Sequence, residues 1–196
     1  MGRDGVERVI ALVCLLALSP LMVLLAFLIV LDSPGPVFFR QTRVGRGGRL
    51  FRMTKFRTMV VDAESQRHLL RARNHCDRVL FKVRHDPRVT AFGRVLRRFS
   101  LDELPQLWHV VTGQMAFVGP RPALSDEVEG YAPEVRRRLL VKPGLTGLWQ
   151  VSGRSDLAWD EAVQLDLSYV DHRSLRVDLA ILARTPAAVV GGKGAY

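Results

Sequence analysis

Residues 9–31 read VIALVCLLALSPLMVLLAFLIVL, 23 positions without a charged side chain, bounded by Arg8 and Asp32. As one helix this run is about 34 Å long, enough to cross the hydrocarbon core of a bilayer. It is too long for the apolar region of a secretory signal, and no small-x-small cleavage site follows it. A helix in a soluble core would be unusually long for such uniform hydrophobicity. The run is therefore expected to enter a membrane.

Its midpoint holds Ser19-Pro20. Proline removes a backbone hydrogen bond and bends a helix, and serine can satisfy a carbonyl that the bend frees. Arg40, Arg43, Arg46, Arg49 and Arg52 follow the run, which puts its C-terminal flank in the cytoplasm. Arg3 and Arg8 oppose translocation of the other end, but Asp4 and Glu7 offset them. The residues alone leave a simple span and a bent helix returning to the same side both open.

The chain has 196 residues and a formal net charge of +10, so it meets something anionic: nucleic acid, lipid or a phosphorylated substrate. The surplus is local. Residues 1–31 are neutral, residues 32–100 carry 17 basic and 5 acidic side chains, and residues 101–196 carry 10 and 12. Two cysteines, Cys14 and Cys76, form no disulfide framework or zinc pair and suit a reducing compartment.

Beyond Ser33-Pro34-Gly35-Pro36, two β-like runs, 37–44 and 50–59, flank Gly45-Arg46-Gly47-Gly48 and are expected to form a hairpin. Its basic residues recur every third position, a period of neither strand nor helix. Most are expected to be solvated or to touch anionic headgroups, with Lys55 and Arg57 set apart. Helices are expected over 60–73, 89–99 (basic and amphipathic), 101–111, 125–140, 159–170 and 175–190, the last broken at Pro186. The expected fold is α+β, mainly helical with a small β-hairpin. A membrane helix over 1–32 precedes one compact domain over 33–196.

Ser100-Leu101-Asp102-Glu103-Leu104-Pro105 is the densest chemical stretch. It admits two meanings. Ser100 and Glu103 can form a capping box. Alternatively the helix starts near Glu103 or Leu104, Pro105 occupies its first positions, and two carboxylates meet an anionic ligand and a divalent cation at its N-terminus. Arg121, fixed between Pro120 and Pro122, is either turn punctuation or a phosphate clamp. No Walker or dinucleotide loop is present. The five histidines lack metal-ligand spacing, and His75-Cys76 and His85-Asp86 are expected at the surface or in packing.

Several blocks together resemble the bacterial polyprenyl-phosphate sugar-1-phosphate transferases, the monotopic phosphoglycosyl transferases. They are Ser33-Pro34-Gly35-Pro36-Val37-Phe38-Phe39-Arg40-Gln41, Lys55-Phe56-Arg57-Thr58-Met59, Asp86-Pro87-Arg88-Val89-Thr90 and Ser100 to Trp108. Val118-Gly119-Pro120-Arg121-Pro122 and Lys142 to Gln150 complete the set. The resemblance spans essentially the whole chain in the family's order and corresponds to its minimal catalytic form.

The resemblance implies transfer of sugar-1-phosphate from a nucleotide diphospho-sugar, usually a UDP-sugar, to undecaprenyl phosphate with release of UMP. This would be the first membrane step of glycoconjugate or exopolysaccharide assembly. By the same resemblance Asp102 is the nucleophile that forms an aspartyl-phosphosugar, and Glu103 binds Mg²⁺ (or Mn²⁺). Lys55, Arg97, Arg121 and Asp166 match positions tied to activity or substrate binding. The helix bent at Ser19 and Pro20 is implied to be re-entrant, with interfacial amphipathic helices and a catalytic domain on the cytoplasmic face of the bacterial inner membrane. The partners expected are the polyprenyl phosphate lipid, the nucleotide-sugar and the bilayer, without nucleic acid; a homodimer is compatible. His109, Gln114 and Ala116 depart from the family pattern, and Gly194-Ala195-Tyr196 is similar to the ending of its hexose-transferring branch.

Two other readings make different demands. A membrane-tethered nucleic-acid binder would use residues 40–98, but few aromatic residues interleave those arginines. An inactive scaffold would not need Asp102 and Glu103.

Overall fold

The computed structural model describes residues 2–66 and 86–192. The apolar run lies within α1, Arg3–Asp32, a continuous helix with Pro20 inside it. Pro20 cannot donate to the carbonyl of Leu16, one helical turn before it. The hydroxyl of Ser19 donates to that carbonyl instead, at 2.7 Å. The serine thus serves the role expected from its place beside the proline. Most of α1 is exposed, and the helix is long and apolar enough to cross a membrane by length and composition.

Both ends of α1 are tied to the rest of the chain. At the start, Arg3 pairs with Asp178, and Lys142 donates to Asp4 at 2.7 Å. At the finish, the carboxylate of Asp32 accepts the N–H of Phe92 at 3.3 Å. Arg57 closes the turn after the helix, donating to Ser33 Oγ (2.5 Å), Ser33 O (2.7 Å), Pro34 O (3.1 Å) and Pro36 O (2.6 Å). This buried arginine is therefore a clamp on the turn that the Ser-Pro-Gly-Pro stretch makes.

β1 (Phe38–Val44) and β2 (Leu50–Phe56) form the expected antiparallel hairpin, in register from Phe38 with Phe56 to Val44 with Leu50. Its arginines divide, as a period of three requires: Arg40, Arg46, Arg49 and Arg52 are exposed, whereas Arg43 is buried. The helical set after the hairpin is α2 (Ala91–Arg98), α3 (Leu107–Val111), α4 (Ser125–Glu129), α5 (Leu148–Ser152), α6 (Trp159–His172) and α7 (Leu175–Gly191). Two short strands that the sequence pattern did not reveal, β3 (Ala116–Val118) and β4 (Gly144–Thr146), pair in parallel. Gly119 permits this pairing, because a Cβ there would lie 2.4 Å from the carbonyl oxygen of Lys142.

Four expectations are corrected. The segment 125–140 is not one helix: Gly130 ends α4, and a 3₁₀ turn at Val135–Leu140 follows Pro133. The segment 101–111 begins as a 3₁₀ turn, Leu101–Gln106, and becomes α-helical only past Pro105. α7 is not broken at Pro186. Its N-terminus is capped by the Ser174 hydroxyl, and Ile181 is buried beneath it, so the one lost backbone bond is absorbed locally. Of the helix expected over 60–73, residues 61–66 form only turns and a short 3₁₀ piece, and the remainder lies outside the described residues. So do His75, Cys76, His85 and the ending at 194–196.

The core lies in three clusters, and α1 contributes to two of them. Ala11 packs with Phe51, Met53, Val110 and Met115. Leu25 and Ile29 pack with Phe56 and Leu96. Val118, Tyr169 and Ile181 form the third beneath α6 and α7.

Candidate active site

Asp102 and Glu103 sit in the 3₁₀ turn between α2 and α3, and the fold brings β2 and the end of α2 against them. α2 starts at Thr90, whose hydroxyl accepts the N–H of Gly93 at 3.0 Å. Gly93 allows this helix to lie on the chain after β2, since a Cβ there would come within 2.2 Å of the Thr58 carbonyl oxygen. The last turn of α2 then carries Arg97, whose Nε donates to Thr58 Oγ1 at 2.9 Å.

The turn itself is entered through a strained residue. Ser100 has φ +53°, in the left-handed region, and its side chain makes no capping bond. The capping-box meaning of the motif is therefore not realised. The other non-glycine residue with positive φ among those described is Arg154, and its Nη2 approaches the Ser100 hydroxyl at 3.4 Å. Such conformations persist where the surroundings over-determine them, and they cluster at functional sites.

Lys55 reaches this turn from β2. Its Nζ donates to Glu103 Oε1 at 2.6 Å and stands 3.8 Å from Asp102 Oδ2. Asp102 is 8% exposed. Burial raises its carboxyl to about 6, opposed by the charge of Lys55, reinforced by that of Glu103 and opposed again by Arg97. A buried carboxylate ringed by two cations, beside a more exposed second carboxylate, can attack an electrophilic phosphorus while its neighbour meets a cation.

The remaining expected site residues belong to a second polar group. Arg121 Nη1 donates to both oxygens of Glu127 at 3.2 Å, and Glu127 also accepts the N–H of Leu124 at 3.0 Å. Asp166, on α6, is 1% exposed and accepts from Arg138 Nη2 at 2.6 Å and Nε at 3.0 Å. Burial pushes the Asp166 carboxyl up, while Arg138 and the backbone N–H of Arg121 pull it down. Arg138 also donates to the Tyr131 hydroxyl at 2.6 Å, and its guanidinium lies 5.4 Å from the ring centroids of Tyr131 and Trp159. Thus Lys55, Arg97, Asp102 and Glu103 come together. Asp166 stands behind the Arg121 loop, enclosed by its own ion pair.

Three contributors carry no assigned site role in the sequence. Arg43 ties β1 to the Arg121 loop: it donates to Pro122 O at 3.0 Å and Gln41 Oε1 at 2.6 Å, and burial pushes its guanidinium down to about 10. Arg138 is hidden in the run Arg136-Arg137-Arg138, where nothing marks the third arginine as the buried one. His109, which departs from the family pattern, is 5% exposed and joins β2 to α3. Its partner Gln114 departs from the pattern too, and that coincidence was the available signal.

Among the described residues no group of three or more His, Cys, Asp or Glu side chains forms a metal cage. Mg²⁺ needs less, because it keeps several waters and takes substrate phosphate oxygens beside one or two carboxylates. Glu103, with its side chain 37% exposed and Asp102 next to it, fits that donor set.

A family described as "Bacterial sugar transferase" matches residues 2–192. Over 194 residues the chain is 45% identical to "Undecaprenyl-phosphate galactose phosphotransferase" of Salmonella typhimurium, covering 97% of this chain and 40% of that protein. Over 200 residues it is 41% identical to "Exopolysaccharide production protein ExoY" of Sinorhizobium fredii, covering 100% of this chain and 88% of the relative. It is 39% identical over 198 residues to "UDP-glucose:undecaprenyl-phosphate glucose-1-phosphate transferase" of Xanthomonas campestris pv. campestris, covering 97% of this chain and 39% of that protein. The chain therefore spans well under half of the longer relatives and most of the shorter one.

Proposed function

Because the chain belongs to the bacterial sugar transferase family, we propose that it moves a sugar-1-phosphate from a nucleotide diphospho-sugar, a UDP-hexose, to undecaprenyl phosphate. The observation that carries this is the buried Asp102 carboxylate facing Lys55, with Glu103 beside it. In the first step an Asp102 oxygen attacks the sugar-bearing phosphorus. The bond to the bridging oxygen breaks, and UMP leaves with that oxygen. In the second step a phosphate oxygen of the lipid attacks the same phosphorus, and the bond to Asp102 breaks, restoring the carboxylate.

Each nearby side chain has a defined task. Lys55 and Arg97 keep Asp102 ionised against its burial, and both meet the charge of the donor diphosphate. Arg121 presents a guanidinium from a loop fixed by two prolines and supported from behind by Asp166. Glu103 would hold Mg²⁺ (or Mn²⁺). When bound, that ion supplies positive charge to phosphate oxygens as UMP departs.

The same proposal places the enzyme at the cytoplasmic face of the bacterial inner membrane, with α1 re-entrant and both of its ends on one side. Contacts of Arg3 and Asp4 with Asp178 and Lys142, and of Asp32 and Ser33 with Phe92 and Arg57, support this arrangement. That both ends of a 30-residue helix, about 45 Å long if straight, meet the same domain favours re-entry over a simple span.

The deciding experiment incubates the purified enzyme with Mg²⁺ and single UDP-sugars without lipid. One donor should release UMP and leave a protein adduct of the mass of its sugar phosphate, and Asp102→Asn should abolish both. UMP release by a folded Asp102→Asn variant at the wild-type rate would remove the nucleophile assignment.

A further inference from the structure

An open cleft of about 460 Å³ lies between α1, the β1–β2 hairpin and α3. Its α1 wall is formed by Leu15 and Met22, one on each side of Pro20. Phe38 and Trp108 line it from the hairpin and α3, and Trp108 is 54% exposed. The other hairpin residues at this cleft include Arg40 and Arg52. Arg40 pairs with Thr54 and Thr42 with Arg52, so the two arginines stand diagonally on one face of the hairpin. Both are exposed, and neither has an ion-pair partner among the described residues.

The combination is selective. Walls from a membrane-type helix suit an apolar chain, and two exposed guanidinium groups on one face suit a phosphate. An exposed tryptophan at the boundary fits a bilayer interface. Thr54 and Pro105 also border the cleft; Thr54 precedes Lys55, and Pro105 shares the 3₁₀ turn of Asp102 and Glu103. The cleft therefore opens beside the catalytic turn. A nucleotide would find little here to recognise its base, since the Thr54 N–H is already engaged by His109.

We propose that this cleft seats the acceptor lipid, with the polyprenyl phosphate headgroup between Arg40 and Arg52 and the first isoprene units against Leu15, Met22, Phe38 and Trp108. The proposal rests on the two-step transfer described above and assigns the second substrate its place. Held there, the lipid phosphate oxygen is poised to attack the phosphosugar on Asp102, and the displaced carboxylate returns to its free form.

The test uses the full chain in detergent with a short-chain polyprenyl phosphate. In Arg40→Ala/Arg52→Ala, donor alone should still give UMP and the Asp102 adduct, while KM for the lipid rises about tenfold or more. An unchanged lipid KM overturns the proposal. A wild-type enzyme that forms no adduct would instead sink the two-step reading, and binding then decides the cleft by itself. Polyprenyl phosphate should saturably change tryptophan emission. The change should be absent in Trp108→Phe, weakened in the double arginine variant and much smaller with unphosphorylated polyprenol. An equal response to polyprenol, or to phosphatidylglycerol vesicles lacking polyprenyl phosphate, overturns the assignment, the latter in favour of ordinary bilayer headgroups.

Discussion

The backbone N–H of Thr54 donates to Nε2 of His109 at 3.1 Å, and the opposite ring nitrogen, Nδ1, lies 2.7 Å from Gln114 Oε1. An acceptor at Nε2 and a donor at Nδ1 define a neutral imidazole with its proton on Nδ1. Because Thr54 is adjacent to Lys55, this ring ties the strand that carries Lys55 to the helix that follows the Asp-Glu turn.

His109→Ala should therefore lower kcat about tenfold and cost about 1–3 kcal/mol of stability, because a buried strand N–H loses its partner. His109→Gln restores an acceptor at similar reach and should recover much of both. Initial rates and denaturant unfolding of the two variants check this. Equal losses in both would show that the ring matters through its volume alone.

Activity should rise with pH as Asp102 ionises, giving an acidic limb near pH 6 in the donor half-reaction of the free enzyme. Stability moves the other way. The folded carboxyl titrates near 6 and the unfolded one near 3.8, so between these values the folded state binds more protons and loses stability as pH rises. Asp102→Asn removes that penalty. It should be more stable than wild type at about pH 8, by up to about 3 kcal/mol, and equal to it below about pH 3.5. Thermal unfolding of both proteins across pH supplies the comparison, and a less stable variant at the alkaline end contradicts it.

Asp166→Ala leaves Arg138 charged and buried without its carboxylate, a loss of about 3–5 kcal/mol. A double variant, Arg138→Met/Asp166→Leu, should regain part of that. If Asp166 instead touched the donor, Asp166→Asn would raise the donor KM at unchanged stability. Urea unfolding together with steady-state kinetics separates these cases.

Ser100→Val should cost about 1–2 kcal/mol, because a branched side chain is forced into the left-handed conformation. Ser100→Gly fits the same backbone without that strain and should retain wild-type stability within about 1 kcal/mol. A Gly variant as damaged as the Val variant would mean that the contact between Arg154 and the Ser100 hydroxyl carries the site, and not the backbone shape.

Periodicity and turn chemistry made the long apolar helix, the hairpin and the amphipathic α2 legible in the sequence, and the Asp102-Glu103 pair stood out with them. The parallel pairing of β3 with β4 was not legible, because three-residue strands show too little alternation to register. Burial of Arg43 and Arg138 was equally hidden. Each is one of several arginines at similar spacing, and only long-range partners, Pro122 and Asp166, select the buried one. The break expected at Pro186 does not occur, because the local cost of proline is offset by packing that holds α7 around it.

Arg57 and Lys142 fasten the two ends of α1, and Ala11, Leu25 and Ile29 supply side chains to two of the three core clusters. The long apolar helix is thus a structural keel and not a leash. Trimming it would open the hairpin from beneath and unravel the platform on which Lys55 and Asp102 meet.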